Sequence, residues 1–456
     1  MRRFLIAALA AAVPFAANAA PLTSAQERAI DDSVREWLAK TGAPSVSIAV
    51  ASGGAIAYAK AYGNARLDPD RPATTDTRYA IDSVSKEFAA SAMLLLQEEG
   101  KLSLDDHVAK YFPALAGADT VTIRQILSHT AGYRDYWPQD YVMPEMTKPV
   151  TVDALLKEWA TKPLDFAPGT DWQYSNTGYV IAGAIVEKVS GQKLVPFLDA
   201  HIFAPLAMTR VTEDDRAPLS AADAGAYTRY GNGPVRYAPK EGAGWLFAAG
   251  ELAMNPGDLA RWDISLMDRS LLKPQSYDAL YSSVKLQSGK DTHYSLGLHV
   301  ADEHGHFVLS HTGGGSGFLA ANTMWPKEKT AIVALTNNDW AGPGGVVARV
   351  AYVVLPPTPA EARARAVFDG LQHGTVDRAL FTDNANAYLS EAALADHKAG
   401  LGGLGAVRTF SLDSESERGG LHTRVWTIVT ANATLSAVER GYAGGKLEQF
   451  MVSKTE

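Results

Sequence analysis

Ser83 and Lys86 stand three residues apart in the run Ser83-Val84-Ser85-Lys86, a spacing that puts both side chains on one face of a helix. A serine hydroxyl is a poor nucleophile until a neighbouring base or cation eases its loss of a proton. Lysine in apolar surroundings loses proton affinity, because burial disfavours its charged form, so hydroxyl and amine can share one proton. A helix start adds a positive end that favours developing negative charge. The same tetrapeptide also arises as a helix-start serine followed by a solvated lysine, so other segments must decide between the readings. Two do. Tyr174-Ser175-Asn176 has a phenol and an amide two residues apart, which in extended chain point the same way. His311-Thr312-Gly313-Gly314 follows Val308-Leu309-Ser310, and small residues after a strand-like run let a substrate backbone lie along a sheet edge. The plainer alternatives are a core tyrosine, a helix cap at Asn176 and a strand-end histidine.

These residues need a frame. Ser45 to Gly63 reads as two strands joined by a turn at Gly53-Gly54. From about Ser83 to Glu99, Val84, Phe88, Ala92, Leu95 and Leu96 recur at helical spacing and Gly100 supplies a stop. Thr122-Ile123-Arg124-Gln125 is a capping box, and Asn176 or Thr177 is expected to cap a helix running through Ile181, Ile185 and Val189 to Gly191. Four strand-like runs lie between Tyr294 and Asn338: YSLGLHV, HFVLSH, FLAANTMW and TAIVALTNN, with a turn at Pro326-Lys327-Glu328-Lys329. Strands at both ends with helices between predict an α+β domain whose antiparallel sheet joins both its ends, flanked by helices and a mostly helical subdomain. Leu355-Pro356-Pro357-Thr358-Pro359 reads as a stiff linker, dividing a domain of residues 20–355 from a small α+β domain of 360–456. In the latter, helices are expected at about Ala360 to Gln372 and Ser390 to Lys398, with strands in VRTFSLD, TRVWTIVT and KLEQFMV.

The 456 residues include no cysteine, which excludes a disulfide framework, a thiolate nucleophile and Cys-ligated zinc. A formal net charge of -8 leaves no basic footprint for nucleic acid. Met1-Arg2-Arg3, the apolar run Phe4 to Ala16 and Ala17-Asn18-Ala19 read as a signal peptide over 1–19, predicting a periplasmic or secreted protein with no integral membrane segment after cleavage. His304-Gly305-His306 lacks a third ligand nearby and reads as a polar hairpin, so no metal is expected. Gly400 to Gly405 matches G-x-G-x-x-G but follows a helix rather than a strand, and reads as a loop. No serine sits in a G-x-S-x-G elbow, so an α/β-hydrolase triad has no support.

Three motifs in this order, within RYAIDSVSKEFAA, LSLDDHVAKYFP, VTIRQILSHTAGY and HTGGGSGF, resemble the serine β-lactamase and penicillin-binding superfamily. The closest branch holds class C β-lactamases, DD-carboxypeptidases, D-aminopeptidases and related esterases, over roughly Ala25 to Leu355. The resemblance implies Ser83 as nucleophile, Lys86 as its proton partner and Tyr174 as general base or proton donor. It implies Asn176 as a contact for the acyl side-chain amide, and His311, Thr312 and Gly313 as a wall that meets a substrate carboxylate. The backbone N–H groups of Ser83 and Gly314 would form the oxyanion hole. His129 would lie at a helix end remote from the nucleophile. No cofactor is implied. The expected substrates are small esters or D-amino-acid peptides; the alternatives are a class C β-lactamase and a silent peptidoglycan-sensing binding protein. Two departures matter. His311 stands where many members have lysine and is largely neutral at pH 7, which weakens an anion anchor. Asp82 stands where glycine is common, and either holds Lys86 charged or faces solvent. The C-terminal residues resemble NTF2-like or cystatin-like small domains, implying a packing or homodimerisation module.

Overall fold

The computed structural model describes residues 21–139, 141–303, 305–442 and 445–454; the expected signal peptide and His304 lie outside them. The chain divides into two compact units, one reaching Ala301 and resuming over Phe307–Val350, the other holding 302–306 and everything from Ala351 onward. The division falls inside the helix Gly344–Val354, a few residues ahead of the proline run, and Pro356 and Pro357 separate that helix from the next.

In the first unit, α1 (Ser24–Thr41) opens on a capping box of Thr23 and Gln26 and closes on Gly42 in the left-handed region. Strands β1 (Ser45–Ser52) and β2 (Ala55–Leu67) turn through Gly53 and Gly54, both at positive φ. After β3 (Asp70–Pro72) come α2 (Ser85–Glu98), the short helix Ile123–Leu127, α3 (Asn176–Ser190) and α4 (Pro256–Met267). Four strands follow: β4 (His299–Glu303), β5 (His306–Gly315), β6 (Phe318–Trp325) and β7 (Thr330–Thr336). The sheet order is β3-β2-β1-β7-β6-β5-β4, with β1 antiparallel to β7 in the register Val46↔Thr336. Every residue of β1 except Ser52, and all of β7, is buried. Such continuous buried runs mark strands covered on both faces.

Two local differences from the sequence reading have physical causes. Of YSLGLHV only the end is a strand. Gly297 sits at φ +80, and a Cβ there would lie 2.8 Å from the Lys86 carbonyl oxygen, so this stretch is a loop pressed onto the backbone of α2. The glycines after His311, conversely, belong to β5 itself. The capping box at Thr122 forms as expected: the Thr122 hydroxyl accepts from Gln125 N–H at 3.3 Å, and Gln125 Oε1 accepts from Thr122 N–H at 2.9 Å. Helix α2 is buried from Ser85 through Leu94, as a helix at the centre of a core must be.

The second unit has α5 (Pro359–His373) and α6 (Glu391–Leu401) with an antiparallel sheet of β8 (Val407–Arg418), β9 (Leu421–Thr430), β10 (Thr434–Tyr442) and β11 (Leu447–Lys454), paired in sequence order. Phe368, Leu371, Phe410, Trp426, Ile428 and Phe450 fill its core. Strand β10 alternates in burial, but its sequence hides this because a charged residue, Glu439, lies on the buried face, held by Arg363 and Arg424. Gly400 to Gly405 is the end of α6 and a 3-10 turn rather than a loop. Among the described residues no helix is long and apolar enough to cross a membrane.

Candidate active site

Ser83 lies in a 3-10 turn, Asp82–Val84, that leads directly into α2. Lys86, one turn on, is fully buried. Its Nζ lies 3.0 Å from Ser83 Oγ, 2.8 Å from Asn176 Oδ1 and 2.7 Å from the carbonyl oxygen of Ala249. Burial lowers the Lys86 pKa to about 7, against the opposing pull of Asp135 and Asp82. An ammonium would donate to all three oxygens. An amine has two N–H groups for Asn176 and Ala249, neither of which can donate back from these atoms, and a lone pair left for the Ser83 hydroxyl. The geometry therefore suits both protonation states and directs the proton exchange to Ser83.

The partners of Lys86 are themselves anchored. Ser175, not Asn176 or Thr177, caps α3, its hydroxyl accepting from Gly178 N–H; the extended φ needed for a cap falls one residue earlier than expected. Asn176 is thus free to turn its carbonyl to Lys86, while its N–H and Nδ2 reach the carboxylate of Asp135 at 3.1 and 3.3 Å. Asp135 has no motif to announce it. The Ala249 carbonyl is equally silent in sequence, being backbone. It is presented by the short helix Phe247–Gly250, whose approach is fixed by the Asp215 carboxylate accepting from the N–H groups of Gly244, Leu246 and Phe247. A Cβ on Gly183 of α3 would lie 2.5 Å from the Ala248 Cβ, so a glycine there lets the two helices meet.

Tyr174 lies with its ring centroid 4.9 Å from Lys86 Nζ. His129 is not remote from the site. At φ +60 it turns its ring against Tyr174, with centroids 4.2 Å apart, and its Nδ1 accepts from Ser175 N–H at 3.1 Å. Burial first, then the neighbouring Lys86, push its pKa well below the usual histidine value. It is a neutral positioning residue for the Tyr174-Ser175-Asn176 loop.

Opposite, β5 lies close against the nucleophile segment. A Cβ on Gly313 would fall 2.0 Å from the Ile81 carbonyl oxygen, and one on Gly315 would fall 2.3 Å from Asp82 Oδ1. Only glycine permits this approach. Gly314 and Thr312 are exposed on the alternate face. His311 departs from expectation: it is buried, its Nδ1 2.6 Å from the Thr312 carbonyl oxygen and its Nε2 2.9 Å from the Tyr294 hydroxyl. A carbonyl only accepts, so Nδ1 carries the proton and Nε2 accepts from Tyr294. Burial, then the neighbouring Lys86, hold this imidazole neutral, and its ring centroid lies 6.3 Å from that of Tyr174. Asp82 does not face solvent either; it is 4% exposed, at φ +45.

Ser83, Tyr174, Asn176 and Gly314 line one cavity of about 350 Å³, with Asp82, Asp135, Trp137 and Leu246 around them. The structure thus gathers the serine, lysine, tyrosine and asparagine of two separate segments, with Gly314 of a third across the cleft; Thr312 and Gly313 continue the strand, and His311 is buried beside Tyr174 and Tyr294. Among the described residues no group of three or more His, Asp or Glu is placed to hold a metal ion.

Comparisons agree with this architecture. The chain is 27% identical over 369 residues to Penicillin-binding protein 4* of Bacillus subtilis (strain 168), covering 75% of this chain and 81% of that protein. A D-stereospecific amidohydrolase from Streptomyces sp. superposes with a TM-score of 0.62 at 26% identity, covering 70% of this chain and 97% of that one. The octameric penicillin-binding protein homologue from Pyrococcus abyssi gives 0.65 at 19% identity, covering 94% of this chain and all of that one. Residues 30–352 match the Beta-lactamase family as a whole, and the chain belongs to that family.

Proposed function

We propose that this protein is a serine hydrolase that cleaves small esters or D-amino-acid amides and peptides through an acyl-enzyme on Ser83. One observation carries the reading: Lys86, fully buried and with a pKa near 7, spends two of its hydrogen bonds on fixed acceptors and offers the third position to Ser83 Oγ. An amine so placed takes the serine proton as Oγ bonds to the substrate carbonyl carbon. The N–H groups of Ser83 and Gly314 serve the oxyanion. The proton then passes to the leaving group through Tyr174, whose ring lies beside Lys86, as the bond to that group breaks. Water, deprotonated by the same pair, attacks the ester carbon and returns the proton to Ser83 Oγ. The Bacillus relative is named for binding penicillin and the Streptomyces neighbour for D-stereospecific amide hydrolysis, which supports a D-configured amide or peptide as substrate here. The neutral, internally bonded His311 offers no charge to a β-lactam carboxylate, which disfavours a dedicated β-lactamase.

A fluorophosphonate or fluorescent penicillin label tests the reading directly. Wild type is expected to label and Ser83→Ala is not; equal labelling of both, or of neither, ends the proposal. Turnover of p-nitrophenyl esters beside D-Ala-D-Ala peptides divides the substrate classes. Rapid cleavage of nitrocefin with neither of these cut would reverse the ranking against β-lactamase.

A further inference from the structure

A second cavity, of about 210 Å³, adjoins the first across Asp82, which lines both. Its walls include Asp82, Glu241, Asp214, Lys240, Arg66 and Ser316. The charges there do not balance. Lys240 is committed to Asp214, Nζ to carboxylate at 2.7 Å, and Arg66 to the backbone carbonyls of Asp223 and Ser220 at 3.2 and 2.7 Å. Among the described residues neither Asp82 nor Glu241 has an ion-pair contact of its own, Lys240 acting on both only from its place on Asp214. Both are more than nine-tenths buried. Among the described residues, the side-chain donor to Glu241 is the Ser316 hydroxyl, and Asp82 Oδ2 is buried with no hydrogen-bond partner.

A buried carboxyl oxygen without a partner costs stability, and a cavity wall that sets the unpartnered Asp82 Oδ2 near a second buried carboxyl, Glu241, invites a donor that completes it. From this geometry we infer that Asp82 and Glu241 form a subsite for the primary ammonium group of the substrate, so that Ser83 acts on acyl groups bearing a free amine beside the scissile carbonyl. The inference rests on the Ser83 hydrolase reading and narrows its substrate class. An ammonium presents three N–H donors, enough to serve Asp82 Oδ2 and a Glu241 oxygen together. Its position is set by sequence, because Asp82 immediately precedes Ser83. Gly315 keeps the space: a side chain there would strike Asp82 Oδ1. Burial raises the pKa of both carboxyls, helped at Asp82 by the charges of Glu241 and Asp214 and at Glu241 by that of Asp214, which favours the neutral acid when no cation is bound. The arriving ammonium favours the carboxylate, and a proton leaves to solvent as it binds.

Calorimetry on the full-length Ser83→Ala protein at pH 7 measures this without turnover, using D-alaninamide and N-acetyl-D-alaninamide as probes. D-Alaninamide is expected to bind roughly ten- to hundredfold more tightly, with a heat that changes with buffer ionisation enthalpy because a proton is released. Adding Glu241→Gln or, separately, Asp82→Asn, with far-UV spectra confirming the fold, should erase both the preference and the proton release. Equal affinities, no binding of either amide, or a preference surviving both substitutions overturns the inference. So does displacement of D-alaninamide by calcium ion that binds more tightly alone, which would make the pair a metal site. Absent fluorophosphonate labelling of wild type would instead sink the hydrolase reading, and the amide comparison would still report on the subsite.

Discussion

Lys86 and Glu87 are consecutive on α2, both almost wholly buried, and they meet opposite fates. Lys86 faces the cleft. Glu87 faces the sheet, where Trp262 Nε1–H donates to it at 2.8 Å and Asn322 Nδ2 at 3.1 and 3.3 Å; the same amide also donates to Asp263 at 2.8 Å. Burial pushes both toward neutrality, the lysine down to about 7 and the glutamate up to about 8. The cause is one and the consequence differs, because only Lys86 has a hydroxyl and a cavity beside it. A perturbed pKa marks a functional group only where a reacting atom can reach it.

The strongest way to break this contrast is to substitute each residue. Lys86→Met is expected to slow fluorophosphonate labelling of Ser83 by roughly 10²–10⁴-fold, the usual range for a lost general base, with the fold intact. Glu87→Ala should cost about 2–4 kcal/mol in urea unfolding, by opening a cavity and stranding the Trp262 and Asn322 donors, without a comparable change in labelling by the folded protein. Labelling losses of equal size would erase the distinction.

Titration sharpens it. The amine form of Lys86 is the reactive one, so labelling should rise with pH through about 7. For stability the two residues oppose each other. The raised Glu87 pKa gives stability that is full below the unfolded value and is lost as pH rises through about 8. The depressed Lys86 pKa gives stability that is full above its unfolded value and is lost as pH falls through about 7. Removing Lys86 leaves the first trend uncompensated, and Lys86→Met should melt progressively lower between pH 7 and 9, relative to wild type. Asp135→Asn removes a charge that raises the Lys86 pKa; the labelling profile should move to lower pH by roughly half a unit to one unit. A shift upward would show that Asp135 acts otherwise. Smallest of all, Thr122→Ala lies on neither face. It should cost about 1 kcal/mol through the lost cap and leave the pH profile in place.

Local signals in the sequence survived into the structure, and long-range ones did not show. The hairpin from Ser45, the box at Thr122 and Gln125 and the glycine stop after α2 depend on neighbours in the chain and could be read there. Asp135, the Ala249 carbonyl and the ring of His129 reach the site only through tertiary packing and, at His129 and Asp82, through positive φ values that side chains other than glycine rarely adopt. At His311 the limit is related: alternation along a strand tells which residues share a face, not how deeply each is buried, and here His311 is buried while Thr312 and Gly314 are exposed. Strand β10 was missed because the charge of Glu439 sits inward.

The pairing of β1 with β7 also sets a timetable. A ribosome that has delivered Ser83, Lys86, Tyr174 and Asn176 has still to make Gly313 and Gly314, and the sheet that carries them closes only when Thr336 emerges to meet Val46. A nascent chain therefore holds the proposed nucleophile and base long before it holds the opposite wall. On that proposal, order of synthesis alone leaves the site incomplete until translation of the first unit is almost finished.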